Sequence, residues 1–447
     1  MPQTSSIHPS PGHPRPRRTA LAFVAAAIVA LTGLGARPVP VAAVDGGALT
    51  DPTLLADFTF YGRGYGHGVG MSQYGARGRA LAGQLAPAIL AHYYAGTTAG
   101  TRNPATIVRV LVLNGFAATT VRPATIVGRG GTWTIDGIAK VFPANARLTL
   151  APTAAAATTW TLKVRSSLGV LLHSATVSKA LIVRPGTAAS LLQLASKATI
   201  SNVYRGYLRV RLTTTVAVIN HVAIETYLRG VVPLEMPASW PAEALKAQAI
   251  ASRSYALRRV HPATGTFDIY DDTRSQVYRG QRAERAATDA AIAATRGSVL
   301  LSGTSIANTL FHSADGGWTE NNENVFVGAT GAIVAGPVSY LRGSSDRAPN
   351  GTSYDAASPY ATWHTATYTP DALAAILARD ARTNVGSLVK LDLTRRGVSG
   401  RLISVTISGS LGTKTVSGDV FRAAFNAGRP LLDPLLRGTL FDIQPIP

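Results

Sequence analysis

Hydrophobic and polar residues follow three different patterns along the chain. From Phe58 to Tyr74 glycine occupies every second position between 62 and 70, and a helical pattern follows over about residues 76–94. Residues 105–195 alternate short apolar runs with turns rich in Gly, Pro and Thr, which is typical of a small all-β module. Helical patterns mixed with strands follow to the C-terminus. The order predicts an α+β protein, in which a mixed α/β domain contains an inserted all-β module.

The alternating glycines have a structural consequence if their segment is extended. Side chains alternate across a strand, so Arg63, Tyr65 and His67 would project from one face and leave the other as bare backbone. We expect another part of the chain to approach that bare face closely. The G-x-G-x-x-G spacing of a dinucleotide-binding loop is absent, and no acidic residue follows at the offset that such a site requires.

The longest helical pattern is preceded by a glutamate between two prolines. Pro233 and Pro237 break the chain around Glu235 in the sequence VVPLEMP. Apolar neighbours should partly desolvate this carboxylate, which raises a carboxyl pKa toward the range that a general acid needs near neutral pH. The same position also suits a helix cap or a salt-bridge partner. Lys246 and Arg253 lie seven residues apart on the helix and predict a basic edge near the glutamate.

Two histidines lie among small residues, His67 in GYGHGVG and His312 in FHSADGG. Their rings could face a cleft and hydrogen-bond a sugar, or they could tie loops together through backbone carbonyls. Together with Asp315 they offer zinc ligands by type, but the paired spacing of zinc ligands is missing. We expect no metal and no other cofactor.

The N-terminus has the composition of an export signal. Its basic residues are followed by an apolar stretch from Leu21 to Leu34 and by small residues that end at Ala43. We expect cleavage after Ala43, a linker over residues 44–57 and a secreted, cell-wall-associated protein. An uncleaved membrane anchor is the alternative.

Charge and cysteine content narrow the function classes. The chain has 43 Lys and Arg against 23 Asp and Glu, a formal net charge of +20, and it has no cysteine. The absence of cysteine excludes disulfides, thiolate zinc sites and a cysteine nucleophile. An exported protein of this charge meets anionic wall polymers and lipid surfaces. The basic residues are scattered along the sequence without a nucleic-acid-binding motif, so we expect no nucleic-acid partner.

Three segments together resemble the stage II sporulation protein D and amidase-enhancer family. They are YLRGVVPLEMPASWPAEALKAQAIASRSYAL, RGSVLLSGTSIANTLFHSADGGWTENNENVF, and GRGYGHGVGMSQYGARGRALAG with the downstream ILAHYYAGT. The resemblance implies a peptidoglycan lytic transglycosylase in which Glu235, the glutamate of the P-L-E-M-P motif, is the catalytic acid and base. It also implies a glycan-binding groove that includes Arg253, Tyr255, His312, Ser313, His67, Ser72, Gln73 and Tyr74.

The family reaction cleaves the bond between N-acetylmuramic acid and N-acetylglucosamine. The muramic O6 attacks its own anomeric carbon to give a 1,6-anhydro product, so the second carboxylate of ordinary glycosidases is unnecessary. In this family the glycine-rich segment usually ends the domain, whereas here it comes first, and the chain looks circularly permuted. We therefore expect the domain to comprise residues 58–104 and 196–447, with residues 438–443 beside Phe58–Gly64.

Three functions remain open at this stage. The first is a lytic transglycosylase acting on peptidoglycan glycan strands. The second is a non-catalytic amidase enhancer that holds glycan and activates a separate cell-wall amidase. The third is a structural wall protein, whose binding would depend on salt rather than on His67.

Overall fold

The computed structural model describes residues 56–261 and 265–446. The predicted export signal, its cleavage site and most of the 44–57 linker lie outside these residues. Within the described ranges, no helix combines the length and the apolar character needed to cross a bilayer.

The helices and strands fall into three stretches along the chain. The first contains β1 (Tyr61–Gly62), β2 (Met71–Ser72), α1 (Gln73–Leu81), α2 (Ala86–Tyr93) and β3 (Thr98–Thr101). The second contains only strands: β4 (Ile107–Phe116), β5 (Ala124–Arg129), β6 (Trp133–Ile135), β7 (Val141–Phe142), β8 (Arg147–Pro152), β9 (Trp160–Arg165), β10 (Leu171–Val177), β11 (Leu181–Pro185), β12 (Leu191–Leu194), β13 (Val203–Tyr204), β14 (Tyr207–Leu212) and β15 (Val216–Ala223).

The third stretch is mixed. It contains α3 (Ile224–Arg229), α4 (Val232–Glu235), α5 (Ala242–Arg258), β16 (Ile269–Tyr270), a 3₁₀ turn (Gly280–Ala283), α6 (Ala286–Ala294), β17 (Ser298–Ser302), β18 (Ser305–Ile306), β19 (Phe311–His312), α7 (Asn322–Val325), β20 (Trp363–His364), α8 (Pro370–Leu377), β21 (Leu388–Asp392), β22 (Ser404–Gly409), β23 (Gly412–Ser417), α9 (Gly418–Gly428) and β24 (Phe441–Asp442). This mixture of helices and sheets confirms the predicted α+β class.

Two large sheets hold the β-rich run. One has the order β10-β9-β8-β5-β12-β13 and the other β16-β4-β15-β14-β11-β6-β7. Their alternating apolar residues, Trp133 and Trp160 among them, are buried in one core. The second sheet takes β14, β15 and β16 from the segment after residue 195, so the predicted module shares a sheet with the main domain. The boundary at 195/196 stays a prediction.

The helical pattern over residues 76–94 corresponds to two helices, α1 and α2. The Ser72 side chain caps α1 by accepting a hydrogen bond from the Gly75 N–H at 3.1 Å. After α1 the chain turns at Gly83, whose φ is +84°. Pro87 then lies in the first turn of α2, where its missing N–H costs no helical hydrogen bond.

Helix α5 is the helix against which several others pack. Its alanines are buried, among them Ala244, Ala247, Ala249 and Ala251, and small side chains let α1, α2, α3 and α6 contact it closely. The short helix α4 precedes α5 and ends at Glu235. The glutamate is therefore held by a rigid element and by the proline-rich turn that follows.

The two ends of the described chain meet in one small sheet. Strand β1 pairs antiparallel with β24, with Tyr61 opposite Asp442 and Gly62 opposite Phe441. The ring of Phe60 packs edge to face on Phe441, with centroids 5.3 Å apart. This pairing confirms the expectation that residues 438–443 lie beside Phe58–Gly64. The circular permutation itself stays a prediction.

Candidate functional site

The glycine-rich segment, residues 62–70, is not the extended strand that the alternation predicted. Gly64, Gly66, Gly68 and Gly70 have φ values of +72°, +104°, +82° and +71°. These values lie where a residue with a Cβ is strained by about 1–2 kcal/mol, whereas glycine adopts them freely. The alternation of glycine therefore reflects backbone conformation rather than a bare strand face. We call this segment the glycine-rich strap.

The expected close approach to the strap is confirmed. A Cβ built on Gly70 would lie 2.1 Å from the carbonyl oxygen of Leu310, and one on Gly64 would lie 2.7 Å from that of Ala314. A Cβ on Gly68 would lie 2.3 Å from Nε of Arg401. The strap is therefore in backbone contact with residues 310–314 and covers a buried arginine.

The segment 310–314 receives the strap on one side and the start of α1 on the other. The Tyr65 N–H donates to the Ala314 carbonyl at 2.8 Å, and the Tyr74 N–H donates to the Ser313 carbonyl at 2.9 Å. In between, β2 pairs in parallel with β19, with Ser72 opposite His312. These contacts bring together two parts of the sequence that lie more than 200 residues apart.

Glu235 is a half-buried carboxylate that contacts one of the predicted groove residues. The Gln73 side-chain amide donates to Oε2 of Glu235 at 3.1 Å. Burial raises the pKa of Glu235 from its ordinary 4.5 to about 7, and the hydrogen bond from Gln73 opposes this shift only in part. Near neutral pH the protonated and ionised forms are therefore both populated, as an acid–base residue requires.

Tyr255 lies near the glutamate and contacts an arginine, and two further aromatic rings lie near Gln73. Burial raises the pKa of Tyr255; Arg259 opposes this shift, and the negative charge of Glu235 adds to it. The Arg259 guanidinium lies 3.4 Å from the centre of the Tyr255 ring. Near Gln73, the rings of Tyr74 and Trp240 meet edge to face at 4.8 Å. The site thus combines one carboxylate with partly exposed aromatic rings.

His67 and His312 meet each other, with ring centres 5.3 Å apart. Nδ1 of His67 accepts the Val69 N–H at 3.0 Å, and Nδ1 of His312 donates to the Val69 carbonyl at 3.3 Å. Burial, and after it the charge of Arg401, lowers the pKa of His67 to about 4. Burial, followed by His67 and Arg401, lowers the pKa of His312 well below its ordinary value. Both rings are therefore neutral at pH 7 and tie loops to the backbone.

Arg253 does not lie in the groove, and the predicted basic edge is wrong. Its side chain is fully buried and donates to both carboxylate oxygens of Glu225, at 2.9 and 2.8 Å. Lys246 pairs with Glu243 at 2.6 Å instead of facing Glu235. Because the small residues of α5 let neighbours pack around it, a side chain at position 253 points into protein rather than solvent.

Of the other predicted groove residues, some lie next to Glu235 or Gln73, and others hold the backbone of the site in place. Gln73 and Tyr255 adjoin Glu235, and Tyr74 contributes its ring and its backbone N–H. Ser72 is buried and caps α1, and Ser313 supplies the carbonyl that holds Tyr74. These two serines act on the site through the backbone.

Asp315 is a fully buried carboxylate that was considered above as a zinc ligand by type. Burial, and after it the charges of Asp346 and Asp355, raises the pKa of Asp315 well above its ordinary value. Among residues 56–261 and 265–446, no group of three or more His, Asp or Glu side chains is arranged to hold a metal ion.

The sequence interpretation missed Trp240, Arg259 and Arg401. Trp240 could have been predicted from the sequence, because a tryptophan next to Pro241 and beside the helix start has room to remain partly exposed. Arg401 could not have been predicted from the sequence, since the strap that covers it is more than 300 residues away along the chain.

The half-buried Glu235, with its raised pKa and the partly exposed aromatic rings in this region, has the features that an acid–base site with a single carboxylate requires. The family described as Stage II sporulation protein matches residues 212–301, which include Glu235 and all of α5. The chain is similar to members of the stage II sporulation protein D and amidase-enhancer family.

Curated relatives match the chain over a limited part of their length. An uncharacterized protein of Brachyspira hyodysenteriae is 35% identical over 125 residues, which are 28% of this chain and 34% of the relative. The amidase enhancer of Bacillus subtilis is 34% identical over 151 residues, covering 32% and 21% respectively. Stage II sporulation protein D of Bacillus subtilis is 34% identical over 131 residues, covering 25% and 37%. This chain therefore spans well under half of each of these relatives.

Proposed function

We propose that the protein is exported and cleaves peptidoglycan glycan strands as a lytic transglycosylase, with Glu235 as its acid and base. Similarity to relatives named for sporulation and for amidase enhancement supports a role at the cell wall. The observation that carries the proposed chemistry is the pKa of Glu235, raised to about 7 on a side chain that burial desolvates.

In the first half of the reaction the protonated Glu235 gives its proton to the glycosidic oxygen. The bond from the muramic anomeric carbon to that oxygen breaks, and the N-acetylglucosamine end leaves as an alcohol. Charge develops on the sugar as in other glycoside hydrolyses. The carboxylate thus formed lies beside this charge and stabilises it.

In the second half the same carboxylate takes the proton from the muramic O6 hydroxyl. The O6 oxygen bonds to the anomeric carbon, which closes the 1,6-anhydro ring and restores the protonated Glu235. Protons balance without a second carboxylate, because the substrate supplies its own nucleophile. The Gln73 amide holds one carboxylate oxygen and leaves the other to act on the sugar.

The aromatic side chains near Glu235 fit a sugar ligand. Tyr74 and Trp240 present partly exposed rings against which a pyranose ring can stack. Arg77 lies 5.7 Å from the centre of the Trp240 ring and offers a cation to the carboxylate of a muramic lactyl group.

Digestion of purified glycan tests the proposal. The protein is incubated with intact peptidoglycan and with glycan stripped of peptides, and the products are analysed by mass spectrometry for 1,6-anhydro-muramyl ends. We expect Glu235→Gln to lower the rate by about 10²–10⁴-fold, the usual contribution of a general acid or base. The control is Glu243→Gln, eight residues away, whose amide can still accept the Ala86 N–H. Equal rates for wild type and Glu235→Gln would exclude Glu235 from the chemistry.

The non-catalytic alternative rests on the similarity to an amidase enhancer. In that case the protein binds glycan, leaves its bonds intact and stimulates a cell-wall amidase. Adding purified amidase to the same digests separates the two functions, because stimulation that survives Glu235→Gln, without anhydro products, would favour the enhancer.

A further inference from the structure

The β-rich segment 105–195 carries an unbalanced charge. It contains nine Lys and Arg residues but a single acid, Asp136, so its net charge is +8. Asp136 is occupied by Arg184 at 2.7 Å. Arg109 pairs with Asp268, which lies outside the segment. The remaining basic residues therefore have no carboxylate of their own segment available to them.

Four of these residues share one face of the six-stranded sheet. Arg147 of β8 lies directly opposite Arg165 of β9 and, on its other side, opposite Val127 of β5. Lys163 and Arg129 lie two residues from Arg165 and Val127 on the same strands, and side chains two apart point to the same face. All four are exposed. We call Arg129, Arg147, Lys163 and Arg165 the basic face.

The protein's own groups neutralise little of this charge. Arg129 donates to the neutral side chains of Gln193 and Asn145, and Arg165 donates to the Gly169 carbonyl at 2.9 Å. Arg147 and Arg165 face each other across the strands, and like charges in that position are destabilising. Three of the four arginine and lysine side chains, Arg129, Arg147 and Arg165, line a shallow surface hollow of about 400 Å³. An anion bound in this hollow would relieve the repulsion between the facing arginines.

We propose that the basic face binds a phosphodiester-linked polymer of the cell wall and anchors the protein there. The face is open and extends over three strands, which suits an extended chain of repeating charges better than a single small ion. Guanidinium groups bind phosphate oxygens in a two-pronged geometry, and adjacent phosphates would relieve the repulsion between Arg147 and Arg165. The face lies on the β sheet, apart from Glu235 on the mixed domain, so anchoring and catalysis can proceed together.

Titration of the full protein with fluorescently labelled poly(glycerol phosphate) tests this inference. The test variant combines Arg147→Gln, Lys163→Gln and Arg165→Gln. The control combines Arg379→Gln, Lys390→Gln and Arg395→Gln, which removes the same types of exposed residue and the same charge elsewhere on the chain. We expect the test variant to bind about tenfold or more weakly, with a reduced salt dependence, and the control to bind within about twofold of wild type.

Other outcomes would overturn the inference. Equal loss in both variants would mean that net charge alone drives binding. Equal or tighter binding to polyglutamate would show that the face does not prefer phosphate over carboxylate. Binding to phosphatidylglycerol vesicles but not to the polymer would assign the face to a membrane. Glu235→Gln should leave polymer binding unchanged, so a failure of the catalytic proposal and a failure of this one are distinguishable.

Discussion

The region around Glu235 and the β-rich segment 105–195 handle charge in opposite ways. In the mixed domain that carries Glu235, several ionisable groups are buried and engaged: Arg253 pairs with Glu225, and Glu320 accepts hydrogen bonds from the backbone of residues 398 and 399. In the β-rich segment the basic residues are exposed and face one another. The first region holds its groups in fixed positions, whereas the second keeps charge at the surface.

This contrast indicates where a substitution should act. In the first region a change of backbone or of one buried charge should alter stability and chemistry together, because few atoms can move. On the basic face a change should alter binding and leave the fold intact. Three stability measurements test the contrast, in order of decreasing expected effect.

Gly70→Ala should destabilise the protein most. The added methyl group would meet the Leu310 carbonyl, and the residue would be strained at φ +71°. We expect a loss of about 3–5 kcal/mol in the free energy of unfolding, measured by urea denaturation. Gly83→Ala has a similar φ of +84° but no atom within 4 Å, so it should lose only about 1–2 kcal/mol. Equal losses would show that close packing of the strap contributes nothing.

Glu235→Gln should stabilise the protein in alkaline solution. The carboxyl pKa is about 7 in the folded protein and about 4.5 when unfolded, so folding becomes less favourable as pH rises from 4.5 to 7. The uncharged variant avoids this penalty, and we expect a gain of about 2–3 kcal/mol at pH 8 and almost none at pH 4. Urea denaturation at both pH values measures it.

The control for this measurement is Glu243→Gln, which should have the opposite sign. Hydrogen bonds from Lys246 and Ala86 lower the pKa of Glu243, so its ionised form stabilises the fold. Removing that charge should lower stability at pH 8. A loss of stability in Glu235→Gln at pH 8 would contradict a desolvated Glu235.

Arg165→Gln should have the smallest effect and should raise stability slightly. It removes one member of the like-charged pair across β8 and β9, which gives an expected gain of about 0.5 kcal/mol in the free energy of unfolding. Arg395→Gln, at an exposed arginine outside this sheet, should change stability little. A clear loss in Arg165→Gln would mean that the arginine supports the fold and is not retained for binding.

Local patterns predicted the parts of the site that depend on neighbouring residues. The two prolines around Glu235 indicated a restrained and partly desolvated carboxylate, and the glycines indicated a close approach by another segment. The prediction that the strap is a strand was wrong, because glycine at every second position also fits a backbone in which every second residue is left-handed.

Contacts between segments that are distant in sequence were harder to predict. Arg253 was expected in the groove from the family resemblance, and on a basic helix edge from its spacing to Lys246. Only the packing around α5 determines that its side chain is buried. The pairing of β1 with β24 followed from family resemblance rather than from periodicity. Two-residue strands are too short to have a period.

The pairing of β1 with β24 also sets an order of events during folding. Residue 61 cannot find its partner until residue 442 exists, and closing a loop of this length has a large entropic cost before any contact repays it. The Phe60 ring at the base of the strap also waits for Phe441. A chain still emerging from the ribosome would therefore hold an unfinished site until residues 441 and 442 are available to pair at the base of the strap.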